Sequence, residues 1–342
     1  MALAAATSAG PAGEQRKAPA ARSAVLPWQP GTRPLMLAPM QGLTNSALRQ
    51  CFLDHFAPDV VFTEFVRVQT QARKRIARAD LAEVRAHSGP TPLVVQLIGN
   101  HPVALAEAAA RVQDAGVGHI NVNLGCPYGR MTTGATGGEL LRRPDLLEPI
   151  LLALRRACHG SFSIKWRAGY DDLEQWNELL PLFEGCGADF LILHPRTVVQ
   201  RYSGQADHRL TARVVERTSL PVIANGDIGC PAMGRELLVR DGAAGLMLGR
   251  GALSDPWLFQ RIRTGAVQPS AGAQRRRDIR FFLTDLWPRY LEKFCGERQA
   301  LMKIKDVLNF IAGADLQRDL GKLKRANSHD QFCALLERFF PI

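Results

Sequence analysis

Short apolar runs alternate with amphipathic helical segments eight times between residue 34 and about residue 260. Each run is apolar at consecutive positions, so both faces of the strand that it predicts must be buried. A strand followed by a helix in every unit of roughly 30 residues predicts parallel strands joined by helical crossovers. Eight such units predict a closed (β/α)8 barrel, the TIM barrel, over residues 34–262. A doubly wound open sheet is the alternative, but no GxGxxG turn follows the first apolar run.

After the last predicted strand, the sequence pattern changes from alternating strands and helices to helices alone. The strands are predicted at residues 34–40, 59–64, 93–97, 119–123, 162–167, 190–194, 220–224 and 245–248. Past residue 259 the strand-like runs stop, and amphipathic helices are predicted at 279–294, 299–311 and 329–340. We therefore expect a small C-terminal helical domain over residues 270–342.

The positive charge of the chain is concentrated in this C-terminal part. The sequence carries a formal net charge of +11, and from Arg261 onwards 16 basic residues face 9 acidic ones. A compact basic domain is typical of proteins that bind a polyanion such as a nucleic acid. Charge that only keeps the protein soluble is the alternative.

Residues 1–33 are rich in Ala, Gly, Pro and Arg, which predicts a mobile N-terminal tail. They lack the continuous apolar segment of a secretory signal, and a transit peptide is the alternative. No apolar run is long enough to cross a bilayer. The seven cysteines include no CxxC pair, which favours reduced thiols in the cytoplasm over a disulfide framework or a metal site.

Polar side chains collect where the predicted strands end. In a TIM barrel the carboxyl ends of the strands carry the active site. The residues at these ends are Met40, Gln41, Glu64, Gln96, Asn123, Cys126, Lys165, Arg167, His194, Asn225, Asp227 and Arg250. So many hydrogen-bonding groups on one face of a barrel predict a binding site there.

The last two predicted strands end in glycine-rich turns. One runs into Asn225-Gly226-Asp227-Ile228-Gly229, and the other into Gly249-Arg250-Gly251. Glycines let backbone N–H groups approach an anion closely, and Arg250 adds a fixed positive charge. The turns predict a phosphate site, which barrels commonly place after these two strands. Glycines that merely turn tight corners are the alternative.

Three further strand-end residues suit a flat polar ring. Gln96 offers a donor and an acceptor to the edge of a flavin. Lys165 projects into a largely apolar barrel mouth, where a lysine is costly unless it meets an anion, and a reduced flavin is anionic near N1 and O2. A salt bridge from Lys165 to Glu64 or Asp227 is the alternative. His194 is expected to bind phosphate or ring, or else to be a satisfied core histidine.

One cysteine stands in the small-residue loop that follows the fourth predicted strand, between Gly125 and Pro127. An unperturbed thiol stays mostly protonated near neutral pH, so it can act as a proton donor. On a short loop, the Cys126 side chain would be able to face a planar substrate. A buried, inert cysteine is the alternative.

Taken together, these segments resemble the tRNA-dihydrouridine synthase family. The motifs that carry the likeness are Ala38-Pro39-Met40, Gln96-Leu97, Asn123-Leu124-Gly125-Cys126-Pro127, Lys165-Trp166-Arg167, His194-Pro195-Arg196-Thr197, Asn225-Gly226-Asp227-Ile228 and Gly249-Arg250-Gly251. Their order along residues 34–340 is highly specific, although each motif alone is weak. The segment from Thr63 to Val68 and the helix with Lys303-Ile304-Lys305 are most similar to the subgroup that acts on uridine 16 of tRNA (DusC).

The resemblance implies a flavin-dependent reduction of a uridine in the D-loop of tRNA to 5,6-dihydrouridine. NADPH, or NADH, reduces FMN; the flavin N5 passes a hydride to C6 of the uracil, and the cysteine, here Cys126, protonates C5. By the same likeness, FMN is held by Ala38, Pro39, Met40, Gln96, Lys165, His194, Asn225, Gly226, Asp227, Gly249 and Arg250. The tRNA would be contacted by Arg67, Asn123, Tyr202, Lys303 and Lys305. We expect a cytoplasmic monomer that uses no metal and no membrane.

Some positions depart from the family pattern. Gly129 stands where a lysine is common, with Arg130 next to it, and Gln41 replaces an acidic or small residue. Pro195 after His194 is expected to stiffen a loop. Two other functions stay open: an FMN barrel that reduces a free pyrimidine, as a dihydroorotate dehydrogenase-like protein would, and a non-catalytic tRNA-binding protein.

Overall fold

A computed structural model describes residues 25–128 and 135–341 of the chain. In these ranges the strands are β1 Leu35–Leu37, β2 Val60–Phe62, β3 Val66–Arg67, β4 Leu93–Ile98, β5 His119–Leu124, β6 Ser161–Gly169, β7 Phe190–Thr197, β8 Val222–Asn225 and β9 Gly245–Leu248. All pairings between them are parallel. Eight strands close into a barrel in the order β1-β2-β4-β5-β6-β7-β8-β9, because β1 pairs with β9 as well as with β2. The short β3 pairs with β4 beyond β2. The predicted TIM barrel is confirmed.

Helices cover the outside of the barrel. They are α1 Ser46–His55, α2 Arg78–Arg85, α3 Pro102–Asp114, α4 Pro144–Ala157, α5 Trp176–Gly185, α6 His208–Arg217, α7 Pro231–Val239, α8 Arg250–Ser254 and α9 Leu258–Arg263. Helix α2 is short and buries a single residue, Val84. Within the described ranges, no helix is long and apolar enough to cross a membrane.

The barrel interior is apolar at its amino-terminal end and polar at the other. The apolar part consists of Met36, Ala38, Val60, Phe62, Val94, Phe190, Ile192, Ile223 and Met247. A larger apolar cluster lies between the strands and the surrounding helices. Because the interior below is packed with side chains, a ligand can enter only from the carboxyl ends of the strands, where the polar residues lie.

Residues 25–33 pack against the amino-terminal end of the barrel. The ring of Trp28 meets Phe190 edge to face, with centroids 4.8 Å apart, and Leu26 packs against the same interior cluster. The predicted mobile tail over residues 1–33 is therefore too long, since apolar contacts hold its last part on the barrel. Residues 1–24 lie outside the described residues.

Four helices follow the barrel: α10 Gly272–Lys293, α11 Gly296–Leu308, α12 Gln317–Arg325 and α13 His329–Phe339. Helix α10 packs on α1, where Phe282 meets Phe52 and Phe56 edge to face. Arg289 of α10 also pairs with Asp54 at 2.7 Å. These contacts fix the C-terminal helices against the barrel. That residues 270–342 form a domain of their own stays a prediction.

Candidate active site

A chain of buried amides and hydroxyls crosses the barrel interior above the apolar part. Gln96 on β4 donates from Nε2 to Asn121 Oδ1 (2.7 Å), and Asn121 donates from Nδ2 to Ser163 Oγ (2.8 Å). Asn123 donates from Nδ2 to Gln96 Oε1 (2.7 Å). Each bond offsets the cost of burying a polar group. Each end of the Gln96 amide holds one of these bonds, which leaves one N–H and one lone pair for a ligand.

The loop that carries Cys126 is held by the side chain of Asn123. Asn123 Oδ1 accepts the backbone N–H groups of Gly125 (3.0 Å) and Cys126 (2.9 Å). The carbonyl of Cys126 accepts the N–H of Gly138 at 3.0 Å. Cys126 itself is partly exposed, unlike a core cysteine. Asn123, which we predicted to contact tRNA, thus fixes the backbone that carries the thiol.

Arg167 ties the cysteine loop to the loop after β7. Its Nε donates to the carbonyl of Gly125 (2.8 Å), and its Nη1 donates to the carbonyls of Thr197 (3.0 Å) and Arg201 (2.6 Å). The side chain is buried, and no carboxylate pairs with it within the described residues. Arg167 therefore brings an unbalanced positive charge to the mouth.

Lys165 is a second cation for which the described part of the chain provides no carboxylate partner. Its Nζ donates to Asn225 Oδ1 at 2.8 Å. The two carboxylates considered as salt-bridge partners are used elsewhere, because Glu64 accepts the N–H of Gly42 and Asp227 binds arginines. Burial, and next the positive charge of Arg167, lower the pKa of Lys165 from 10.5 to about 7. An anion bound beside Nζ would reverse this shift.

Asp227 joins two arginines at the turn after β8. Its carboxylate pairs with Arg196 on β7 and with Arg250 at the start of α8, the latter at 2.8 Å, and it also accepts the N–H of Ala206 at 2.9 Å. Partial burial raises the pKa of Asp227, but the bonds from Arg196 and Ala206 outweigh it and leave the pKa below its usual value. The backbone of Asp227 is left-handed, with φ of 50°. The carboxylate therefore positions arginines, and only its backbone is free to meet an anion.

His194 lies beside this pair and is neutral. Arg196 Nη1 lies 3.1 Å from His194 Nε2, a contact in which the guanidinium donates to an unprotonated ring nitrogen. Burial, and after it the charges of Lys165 and Arg167, hold the pKa of His194 well below its usual 6.5. Arg196 is absent from the predicted site residues, although its place two positions after a strand-end histidine was visible in the sequence. Among the described residues, the mouth thus holds the cationic side chains of Lys165, Arg167, Arg196 and Arg250. The carboxylate of Asp227 balances part of their charge.

Close backbone approach shapes the turns after β8 and β9. Gly226 has φ of 117°, and a Cβ on it would lie 2.7 Å from His194 Cδ2. A Cβ on Gly249 would lie 3.4 Å from Ala38 Cβ and 3.5 Å from Met40 Sδ. The end of β1, with Ala38, Pro39 and Met40, therefore lines the mouth beside the β9 turn. A side chain at Gly226 would collide with the His194 ring, so this turn requires glycine.

Tyr202 and Arg67 lie at the rim of the mouth. The Tyr202 ring is 50% exposed and lies between two guanidinium groups, with 4.8 Å from Arg250 Cζ and 5.4 Å from Arg167 Cζ to its centroid. Arg67 on β3 is exposed, with its guanidinium 5.7 Å from the Phe65 ring. Both positions are reachable from solvent, as a contact with a macromolecule requires.

Lys303 lines a cleft of about 260 Å³ between the barrel and the C-terminal helices, beside the loop after β1. Its Nζ contacts Asp306 Oδ2 (3.1 Å) and the carbonyl of Gly42 (3.5 Å). Gln41 lines the same cleft. Lys305 lies two residues further along α11 and is partly exposed. The structure thus places Lys303 at the junction with the barrel.

The remaining departures from the family pattern have different outcomes. Gly129 and Arg130 lie outside the described residues. Pro195 does not lie in a loop, because β7 continues to Thr197, and the register against β6 shifts beside it. Among the described residues, no group of three or more His, Cys, Asp or Glu side chains is arranged to hold a metal ion.

The fold and the mouth define a TIM-barrel protein with a cationic site and a thiol loop at the carboxyl ends of its strands. The family model for dihydrouridine synthase (Dus) matches residues 36–340. The chain belongs to this family, and the family prediction is confirmed.

Relatives with assigned names agree with the family. A tRNA-dihydrouridine(16) synthase of Haemophilus influenzae is 36% identical over 293 residues, which are 79% of this chain and 94% of that protein. A tRNA-dihydrouridine synthase B of Pseudomonas aeruginosa is 33% identical over 314 residues, 90% of this chain and 92% of that protein. The first of these agrees with the predicted subgroup.

Solved structures share the barrel at low sequence identity. Morphinone reductase has a TM-score of 0.51 and 13% identity, covering 71% of this chain and 88% of that one. Histamine dehydrogenase from Rhizobium sp. 4-9 has a TM-score of 0.56 and 13% identity, covering 75% of this chain and 49% of that one. These likenesses concern the fold alone.

Proposed function

We propose that this protein reduces a uridine of tRNA, at position 16, to 5,6-dihydrouridine with FMN as cofactor and NADPH as reductant. The observation that carries the proposal is Lys165, which has no carboxylate partner in ranges 25–128 and 135–341 and lies in the same barrel mouth as the partly exposed Cys126. Family membership and the name of the Haemophilus relative support the reaction and the position. A cytoplasmic monomer that works without a metal is part of the same proposal, and NADH is the other possible reductant.

The charges of the mouth fit an anionic cofactor. Lys165 and Arg167 have no carboxylate partner among the described residues, and Arg196 and Arg250 share one, Asp227. A cluster of this kind is costly when empty and is stabilised by an anion. FMN has a phosphate, which would balance the charge of Arg196 and Arg250. When reduced, it also has a negative ring edge, which would balance the charge of Lys165 and Arg167.

Each side of the mouth would hold a different part of the cofactor. Arg250, Gly249 and the backbone from Asn225 through Gly226 to Asp227 would bind the phosphate. The ring would lie against Ala38, Pro39 and Met40, with Gln96 at its polar edge. Lys165 would meet the N1 and O2 edge, and His194, as a neutral ring, would donate a hydrogen bond from Nδ1 rather than carry charge.

When bound, FMN would relay a hydride from NADPH to C6 of the uracil. The thiol of Cys126 would give its proton to C5, which completes the addition of two hydrogens across the C5–C6 double bond. Cys126 would then regain a proton from solvent. Asn123 and Arg167 would keep the loop in position, since they hold the backbone of Gly125 from two sides.

The tRNA would meet the rim of the mouth and the C-terminal helices. The target uridine must leave its stack to enter the barrel, as in other enzymes that act on a base. Arg67, Tyr202 and Asn123 would contact the nucleotides near the mouth, while Lys303 and Lys305 would face the phosphate backbone. Such phosphate contacts weaken with salt.

Replacement of the thiol tests the proposed reaction. We expect Cys126→Ala to bind FMN and oxidise NADPH but to form dihydrouridine at least about 100-fold more slowly, the usual contribution of a positioned proton donor. Cys333→Ala, which removes another partly buried cysteine in α13, is the control and should behave as wild type. Dihydrouridine is measured in tRNA from a strain that lacks the modification.

Three outcomes would refute the proposal or part of it. Near wild-type turnover of Cys126→Ala would remove the thiol from the mechanism. Purified protein without flavin absorbance would favour a non-catalytic tRNA-binding protein. Reduction of a free pyrimidine without salt-sensitive tRNA binding would favour a dihydroorotate dehydrogenase-like enzyme.

A further inference from the structure

An exposed tyrosine and an arginine face each other at the rim, next to the cysteine loop. Tyr128, two residues after Cys126, is 49% exposed. The guanidinium of Arg201 lies over its ring, with 5.4 Å from Cζ to the centroid. The exposed face of the Tyr128 ring is therefore open to a partner from solution. We call Tyr128 and Arg201 the rim pair.

The rim pair is attached to the site through Arg167. One nitrogen of Arg167 binds the carbonyl of Gly125 in the cysteine loop, and another binds the carbonyl of Arg201 at 2.6 Å. The same guanidinium also faces the ring of Tyr202, the neighbour of Arg201. The backbone of Arg201 is therefore tied to that of Gly125, the residue before Cys126.

The conformation of Arg201 is unfavourable for a residue with a side chain. Its φ is 51°, a left-handed value that favours glycine. Arg201 is exposed, and within the described residues no carboxylate pairs with its guanidinium. An unfavourable backbone that presents an unbalanced cation next to an exposed ring indicates a ligand with a flat face and a negative charge. A nucleotide in single-stranded RNA has both.

We propose that the rim pair binds the nucleotide adjacent to the target uridine, with the base stacked on Tyr128 and the phosphate on Arg201. The inference rests on the proposed function. When the uridine enters the barrel, its neighbour loses a stacking partner, and the ring of Tyr128 replaces it. The pair is thus a positioning site, which acts on tRNA binding and leaves the chemical step to Cys126.

Two variants of Tyr128 test whether its flat aromatic ring, rather than the size of its side chain, binds a base. Tyr128→Phe keeps the ring, and we expect a KM for tRNA within about twofold of wild type. Tyr128→Leu keeps an apolar side chain but loses the flat face, and we expect KM to rise by about 5- to 100-fold, the usual contribution of stacking one base, with little change in kcat. Val239→Ala, which shortens an exposed apolar side chain at the end of α7, is the control for nonspecific surface effects.

Arg201→Gly separates binding from stability. Glycine accepts the left-handed φ, so the thermal midpoint should not fall. The KM for tRNA should rise, and the slope of log KM against log salt should become shallower by about 0.7, the value for one phosphate contact in a single strand. Flavin content is measured in every variant, because a distorted mouth would lower it.

The rim-pair proposal would be overturned by equal KM values for Tyr128→Leu and Tyr128→Phe, or by an unchanged salt slope for Arg201→Gly. If the wild-type protein still formed dihydrouridine, the proposed function would stand. Failure of the wild-type protein to form dihydrouridine would instead refute the proposed function. The two failures are thus distinguishable in the same set of measurements.

Discussion

Replacement of Lys165 by methionine should change the pH dependence of stability in the flavin-free protein. In the folded protein the pKa of Lys165 is about 7, whereas 10.5 is its usual value. Below pH 7 both the folded and the unfolded protein carry the proton, and the full cost of the buried charge is present. Between pH 7 and pH 10.5 the folded protein has lost the proton and the unfolded protein has kept it, so the free energy of unfolding rises with pH.

The magnitude follows from the size of the pKa shift. Each pKa unit is worth about 1.4 kcal/mol, so the shift sets an upper limit of about 5 kcal/mol. Lys165 retains some contact with solvent, and screening reduces this cost, so we expect about 2–3 kcal/mol. Methionine also leaves Asn225 Oδ1 without its donor, which costs about 1–3 kcal/mol independently of pH. The test is therefore how the difference between the two proteins changes with pH.

The assay is urea unfolding of flavin-free protein at several pH values, followed by tryptophan fluorescence. We subtract the free energy of unfolding of the wild type from that of Lys165→Met. This difference should fall by about 1–2 kcal/mol between pH 7 and pH 9, because the wild type becomes more stable over this range. Ile192→Val, an uncharged change inside the same barrel, should give a pH-independent difference. Saturating FMN should stabilise wild type more than Lys165→Met. A difference that stays constant with pH would refute the conclusion that a costly, ligand-directed lysine lies in the mouth.

Three further predictions concern the loop, the C-terminal helices and the amino-terminal end of the barrel. Asn123→Ala should lower the free energy of unfolding by about 2–4 kcal/mol, because the N–H groups of Gly125 and Cys126 lose their acceptor, and should slow dihydrouridine formation; an unchanged free energy of unfolding would contradict a loop-fixing role. Lys303→Glu combined with Lys305→Glu should weaken tRNA binding in filter assays by about 10- to 100-fold at low salt, with unchanged flavin content; unchanged affinity would exclude these lysines. Trp28→Ala should lower stability by about 1–3 kcal/mol in thermal unfolding without altering turnover, and a loss of turnover would show that this end of the barrel communicates with the mouth.

The barrel could be predicted from the sequence because its signal is carried by consecutive apolar residues. Strands such as 93–97 and 245–248 are buried on both faces, and the structure places them within one residue of the predicted bounds. Convergence of the strand-end residues follows from the fold, since parallel strands bring their carboxyl ends together. Lys165 and Asn225 accordingly meet, although 60 positions separate them.

The partners of the site residues could not be predicted in the same way. Arg167 and Asn123 act largely through backbone groups, whose directions depend on loop geometry rather than on residue type. The sequence likewise does not distinguish a carboxylate that contacts a ligand from one that positions arginines. In the structure, Asp227 positions Arg196 and Arg250. Helix α12 lacked a prediction because Leu320 and Leu323 are its only apolar residues and Gly321 lies between them.

The packing of Leu26 and Trp28 against the amino-terminal end of the barrel has a consequence for protein production. A tag joined directly before Val25 would lie on the side of the barrel opposite the mouth. Such a fusion should leave substrate access unobstructed, whereas trimming the chain to begin at residue 34 would uncover Phe190 and its apolar neighbours to water. Expression vectors for crystallisation should therefore retain everything from Val25 onwards.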